Sequence, residues 1–414
     1  MFFSHIISSL TASVSALGAA ATLFAVIQNV RAADHQYEMV ASSAGSLQVE
    51  ELASFNFPWG MDYLPDGRLL VTEKPGKLKI YDQTAKITSV SGLPEITYKG
   101  QGGLLDVAVH PDFSSNRLVY FFFVHAADDQ PESPEVQADP RLGPYVDKTD
   151  TVLKGGVVAR GKLMGSSLQN VEVIWRQNPY IVGLGHYGGR LLFADDGKLI
   201  ITSGERQRFS PSQSKSSNLG KVLRINDDGS IPVDNPFAKK AAPLNAVWSM
   251  GHRNPLGVDI RPGTQELWVQ EMGPLFGDEL NKIESGKNYG WPEVSNGEHY
   301  DMQQIPHHET SKKYERPDFY WRPAISPSGL TFYDGAMFKD WQGDAFLGGL
   351  SSKSIVRVDF KDGVPQGDER IFLNRRVRDV MQAADGSIYA LIDDETGALL
   401  RISIAEKSSA SKTD

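Results

Sequence analysis

One unit recurs along this chain and limits its fold more than any other feature. An apolar run leads into a polar turn, often built on Asp-Gly, and a second apolar run follows. The unit first reads Trp59-Gly60-Met61-Asp62-Tyr63-Leu64-Pro65-Asp66-Gly67-Arg68-Leu69-Leu70-Val71-Thr72 and returns at residues 103–123, 188–203, 257–270, 329–348 and 377–392. Asp-Gly dipeptides begin at Asp66, Asp196, Asp228, Asp334, Asp362 and Asp385, and between alternating apolar runs that dipeptide signals a hairpin. Further strand-like runs follow at residues 77–81, 221–225 and 354–358, and no pattern of helical period lasts more than a few turns after residue 50. Six copies of a β-meander predict an all-β chain folded as a six-bladed β-propeller, whose radial repetition leaves only short edges. A pair of β-sandwiches or a β-helix is the alternative. Segments near residues 48–52 and 399–404 suit closure of the ring by pairing the two chain ends within one blade.

The 414 residues allow two or three ordinary domains or one large one. The spread of the repeat predicts a single propeller domain over residues 33–414. Ahead of it, residues 8–30 are uncharged and apolar, and Val30-Arg31-Ala32 offers a cut site, so residues 1–32 read as a secretory signal cleaved after Ala32. The usual basic start is missing, which leaves an uncleaved membrane anchor as the alternative. The protein is expected in the periplasm or secreted. Residues 126–151 break the pattern, being rich in Asp, Glu and Pro, and read as a polar surface loop inserted between blades.

The absence of cysteine excludes disulfides, thiolate nucleophiles and thiolate-bound metals. A net charge of -9 argues against a nucleic-acid partner. Chemistry must therefore come from oxygen, nitrogen and backbone groups beside glycine at the blade mouths. His186, between glycines in Gly185-His186-Tyr187-Gly188-Gly189-Arg190, reads as an exposed histidine suited to act as general base; a loop histidine capping a blade is the alternative. Arg253 and Asn254, in Gly251-His252-Arg253-Asn254-Pro255, offer donors to a carboxylate or quinone oxygen. The carbonyls of Gly273 and Pro274, and the carboxylate of Glu279 with the carbonyls near Tyr289, suit a hard cation such as Ca²⁺; a plain turn and a solvated acidic turn are the alternatives. Arg376 and Arg378 lie two apart at a strand entry and so share a face. Either an anion lies between them or they pair with Asp379 and Glu369. Gln101 places an amide between glycines at another mouth.

Taken in order, these motifs resemble the glucose/sorbosone dehydrogenase family, and within it the aldose sugar dehydrogenases that depend on pyrroloquinoline quinone (PQQ). The resemblance covers about Phe55 to Ile402. It is carried by GQGGLLDVAVHPDF from Gly100, GHYGGRL from Gly185, SGER from Ser203, LGKVLRINDDGSIPVDNPF from Leu219 and GHRNPLG from Gly251. EMGPLFGDELN from Glu271, GKNYGWP from Gly286 and RVRDV from Arg376 complete it. It implies a six-bladed propeller that oxidises the anomeric hydroxyl of an aldose to a lactone and passes electrons to an external quinone or redox protein, as a monomer or homodimer. By the same resemblance His186 would be the general base and Arg253 would stabilise the quinone oxyanion. Gln101, Asn254, Tyr300, Arg376 and Arg378 would hold PQQ. Gly273 and Pro274 would bind a Ca²⁺ that also touches PQQ, and Glu279 with Tyr289 would bind a second. The chain departs from the family pattern at Ser351, where relatives carry a lysine after Gly-x-Leu, and at Met272 and Leu275 around Gly-Pro. A propeller that binds sugar or a partner without catalysis, and a calcium-dependent lactonase, are the competing functions.

Overall fold

The computed structural model describes residues 38–136 and 139–405. The proposed signal segment therefore lies outside the described residues. Six antiparallel sheets of four strands, one of them extended to five, follow one another along the chain and close into a six-bladed propeller. The innermost strands are Pro58–Tyr63, Leu104–Val109, Gly188–Phe193, Pro255–Ile260, Pro327–Phe332 and Val377–Gln382, and each packs on the next around the ring, the last against the first. All six repeats seen in the sequence begin at or just beside one of these strands.

The Asp-Gly turns explain why the hairpins form where they do. Gly67, Gly197 and Gly386 have φ of +84°, +75° and +83°, which favours glycine. The preceding aspartate side chain accepts the backbone N–H two residues on, at Arg68, Lys198 and Ser387 respectively. Ring closure is by the two chain ends, with Gly45–Phe55 pairing Gly397–Ile404 in antiparallel register, Val49 opposite Ile402 and Glu51 opposite Leu400. That pairing places the first strands of the described chain in the last blade.

Blades adhere through apolar side chains, with Leu105, Phe122, Val158, Tyr187 and Leu191 in one shared cluster. Near the axis a polar device repeats. An inner-strand aspartate accepts a backbone N–H from the next blade: Asp62 from Val109 at 2.7 Å, Asp106 from Leu191 at 2.9 Å, Asp259 from Phe332 at 2.7 Å and Asp379 from Met61 at 3.2 Å. Among the described residues no helix is long and apolar enough to cross a membrane.

The inserted segment is less solvated than its composition suggests. It carries a short 3-10 turn, Pro140–Tyr145, with Leu142 buried. Asp150 is fully buried and pairs with Lys154 at 2.6 Å, so its charge is spent inside the protein.

Candidate active site

The channel holds two cavities at opposite ends, separated where Arg190 crosses the axis. The upper one, about 370 Å³, is lined by the starts of the inner strands and the loops that precede them. It brings together Gln101, His186, Arg253, Asn254, Tyr300, Arg376 and Arg378 from four of the blades, and adds Trp59, Lys74, Met272, Leu350 and Asp393.

His186 is only 5% exposed, contrary to its expected exposure, because loops of neighbouring blades cover it. Its backbone is held at φ +51°. Its N–H donates to Gln101 Oε1 at 2.8 Å, Gly188 N–H donates to Asn254 Oδ1 at 3.1 Å, and the buried Arg206 donates to Gly185 O at 3.0 Å. The ring Nδ1 lies 2.5 Å from Glu205 Oε1, while Glu205 Oε2 accepts the N–H groups of Arg208 and Phe209. Burial, reinforced by the charge of Arg253, pushes the His186 imidazole down to about 4 against the opposing pull of Glu205. Burial would raise Glu205, but His186 and the other donors around it hold its carboxyl below the usual range. The pair is therefore a neutral imidazole, Nδ1–H donated to a carboxylate, with Nε2 free of hydrogen bonds among the described residues.

Arg253 Nη1 donates to the carbonyls of Met272 at 3.0 Å and Gly273 at 2.6 Å, and Nη2 reaches Tyr300 Oη at 3.5 Å. Beneath it, Glu271 accepts the Arg253 N–H and bonds His252, whose other nitrogen meets Ser249. Tyr300 in turn packs against Tyr145 of the inserted segment, ring centroids 4.7 Å apart, at the cavity rim.

The arginine pair has an internal anion. Asp393 Oδ2 accepts from Arg376 Nη2 at 3.0 Å and Arg378 Nη2 at 2.9 Å. Asp379 and Glu369, the alternative partners weighed from sequence, are engaged elsewhere, with Arg190 and Arg357. Burial would raise the Asp393 carboxyl, but Arg378 and Arg376 overcome it and hold it at about 2. Four cations and one carboxylate then line the cavity, and the Nε–H groups of Arg253 and Arg378 are buried without a partner among the described residues. Such a set suits an anionic ligand.

The residues expected to hold calcium are split from this cavity. Gly273, Glu279 and Tyr289 line a void of about 10 Å³ next to it, which Pro274 does not reach. Gly273 O already receives the Arg253 guanidinium, so a cation there would meet a like charge; that oxygen does not fit Ca²⁺ as it stands. Glu279 fits better. Its carboxylate lies beside Asn281, whose buried Oδ1 has no partner among the described residues, although His308 Nε2 also approaches the Glu279 carboxylate at 3.2 Å. Of the departures from the family pattern, Met272 lines the main cavity, whereas Ser351 and Leu275 do not.

Sequence reasoning missed Glu205, Asp393 and Lys74. The first two were within reach, since each lies opposite its partner when the register of a recognised hairpin is extended beyond the paired strands.

A family model described as Glucose / Sorbosone dehydrogenase matches residues 55–401. The chain belongs to that family. Its relatives include the aldose sugar dehydrogenase YliI of Escherichia coli, 33% identical over 87% of this chain and 94% of the relative. The quinoprotein glucose dehydrogenase B of Acinetobacter calcoaceticus is 28% identical over 84% of this chain and 85% of its own length. Among solved structures, the PQQ-bound aldose sugar dehydrogenase of Streptomyces coelicolor superposes with a TM-score of 0.68 at 25% identity, covering 88% of this chain and 99% of that one.

Proposed function

We propose that this protein is a PQQ-dependent dehydrogenase that oxidises the anomeric C1 hydroxyl of aldose sugars to the lactone and delivers the electrons to an external quinone or redox protein. The observation that carries the reading is the neutral, carboxylate-oriented His186 facing a cavity whose remaining charge is cationic. His186 Nε2 takes the proton of the anomeric hydroxyl as the C1 hydride departs. Glu205 fixes the tautomer and stabilises the imidazolium that forms. Arg253 sets a positive charge where negative charge grows during hydride departure. Arg376, Arg378, Gln101 and Asn254 would hold the cofactor by its carboxylates and ring edges. When bound, PQQ supplies the two-electron acceptor for the hydride. Trp59, Leu105 and Leu256 floor the cavity and, with Arg190 below them, keep bulk water from entering along the axis.

The calcium reading is retained for Glu279 and the Tyr289 backbone as a structural site, and no step passes through a metal. The lactonase reading requires carboxylates from several blades around one central metal. Among the described residues no three His, Asp or Glu side chains form such a cluster. Residues 33–414 form the catalytic unit in this proposal, exported after loss of residues 1–32.

The test is reconstitution of purified protein with PQQ and CaCl₂, followed by dye reduction with a panel of aldoses. Turnover that vanishes in His186→Ala while PQQ is retained on gel filtration is the expected result. No dye reduction and no retained PQQ in the wild type would sink the proposal.

A further inference from the structure

Lys74, like Arg253, is a cation of the cavity with no salt bridge among the described residues, and unlike Arg253 its charged group makes no hydrogen bond there either. It lies in the turn between the strands Leu69–Glu73 and Lys77–Tyr81, and it lines the upper cavity together with Arg376, Arg378 and Asp393. Asp393 is the sole carboxylate in that lining, and its Oδ2 is taken by both arginines. Lys74 forms no salt bridge among the described residues. Its Nζ instead sits over the faces of Phe57 and Tyr98, 5.1 and 5.8 Å from the ring centroids.

The backbone beneath it is fixed. Lys74 N–H donates to Phe57 O at 2.9 Å, and its carbonyl accepts Leu104 N–H, from the next blade, at 3.0 Å. Gly103, at φ +152°, lets that carbonyl approach so closely that an added Cβ would lie 2.1 Å from it. A half-buried ammonium held beside two guanidinium groups, with one carboxylate nearby that both guanidiniums already bond, leaves a net positive charge that an anionic ligand would offset. Consistent with that arrangement, burial and the positive charges of Arg378 and Arg376 push the Lys74 ammonium below the usual lysine range, against the opposing pull of Asp393. The loop that brings Leu350 to the cavity carries no cation there, because Ser351 and Lys353 are both exposed and outside the lining.

We infer that Lys74 is a cofactor-binding residue whose ammonium takes a carboxylate of the bound polycarboxylated quinone, completing from the first blade the anion site begun by Arg376 and Arg378. The inference rests on the PQQ reading above. It assigns the cationic contact to a different blade from the one in which the family pattern places its lysine.

The experiment is a binding titration without substrate, following protein fluorescence as PQQ is added to wild type, Lys74→Gln and Lys74→Arg. A second arm replaces PQQ with trimesate, a planar tricarboxylate that has no redox chemistry. Lys74→Gln is expected to raise the Kd for both ligands roughly tenfold or more, as for loss of one partner of a desolvated charge pair. Lys74→Arg should stay within a few-fold of wild type. The apo Lys74→Gln protein should unfold at or above the wild-type temperature, because no internal ion pair is lost. Unchanged Kd values in Lys74→Gln overturn the inference. If wild type binds no PQQ, the functional reading fails, while the trimesate arm still decides the role of Lys74.

Discussion

His186 Nδ1 sits 2.5 Å from Glu205 Oε1, and one blade further on His252 Nδ1 sits 2.9 Å from Glu271 Oε1. Both pairs span the same 19 residues, so the propeller repeat carries the pair twice. What separates them is the second nitrogen. His252 Nε2 is closed by Ser249 Oγ at 2.8 Å and stacks on Tyr289, whereas His186 turns Nε2 to the cavity. In the proposed mechanism the first pair moves a proton, whereas the second holds the backbone of Arg253.

With its imidazole pushed down to about 4, His186 stays in the basic form throughout the neutral range. The protonated form is reached only as pH falls through that value. The rate at low sugar concentration should therefore be flat from neutral pH down to about 5 and drop only near 4. A descending limb centred near the ordinary histidine value of about 6.5 would show that the base is another group.

Glu205→Gln keeps an acceptor for Arg208 or Phe209 but loses the charge that orients and stabilises His186. Turnover should fall on the order of 10²-fold or more, with PQQ affinity close to wild type. Parallel loss of binding and turnover would instead mark Glu205 as a scaffold for the loop alone.

Asp393→Asn removes the anion shared by Arg376 and Arg378. Because Arg378 is buried, the apo protein should lose about 2–3 kcal/mol of stability in urea unfolding, toward the low end for breaking a buried pair since Arg376 is half-exposed. A tricarboxylate then restores the missing charge, so trimesate should stabilise this variant more than it stabilises wild type. Equal stabilisation of both would mean that the ligand does not reach the arginines.

These partners mark how far the sequence can be read. The six blades were legible because the Asp-Gly turns and the period-two runs are local, and closure was legible because both chain ends carried strand patterns. His186 and the arginine pair stand out in the sequence, yet their counterions do not. In the hairpin where Gly188 faces Ser203, two more residues on each side bring His186 opposite Glu205. Where Val377 faces Ile392, one more residue brings Arg376 opposite Asp393. Both follow from register arithmetic that stops at the strand ends only by convention. Lys74 is different in kind, since it enters from another blade and depends on how the inner strands are arranged around the axis. The burial of His186 was hidden for the same reason.

Arg190 provides a direct test of that arrangement. Its guanidinium lies over Trp59 at 4.1 Å, bonds the Leu256 carbonyl at 2.8 Å and the Arg378 carbonyl at 3.1 Å, reaches Ser328 Oγ at 3.5 Å, and pairs with Asp106 at 3.4 Å and Asp379 at 2.9 Å. One side chain of the third blade thus touches the innermost strands of the other five. Gly60 and Gly329 leave the space, since an added Cβ would lie 2.2 Å from Asp106 Oδ1 and 2.5 Å from Asp379 Oδ1. Arg190→Met should cost about 3–5 kcal/mol in urea unfolding, because two buried carboxylates lose their cation. Adding Asp379→Asn should recover part of the loss. A cost under about 1 kcal/mol, the range of an exposed pair, would show that the ring closes without this contact.

The lower mouth of the channel gives the protein a pH dependence of opposite sign to that of ordinary surface carboxylates. Burial raises Asp259 from 3.8 to about 7, with the Phe332 and Ile260 N–H groups opposing and Asp334 adding to the rise. A carboxyl raised in the folded state binds its proton more tightly there than in the unfolded chain. Its stabilising contribution is complete below the unfolded value and disappears as pH climbs through 7. Asp259→Asn cannot titrate, and it gives up one of the two N–H bonds that the carboxylate oxygens accept from Ile260 and Phe332. The variant should therefore be less stable than wild type by about 1 kcal/mol near pH 5. Toward pH 8 wild type should lose roughly 1–2 kcal/mol relative to the variant, so the gap closes or reverses, a figure discounted because this carboxylate borders the open lower cavity. Urea unfolding of both proteins across that range measures the gap. If the gap holds constant with pH, the Asp259 carboxyl is not raised, and the aspartates that join the blades work as ordinary ionised acceptors.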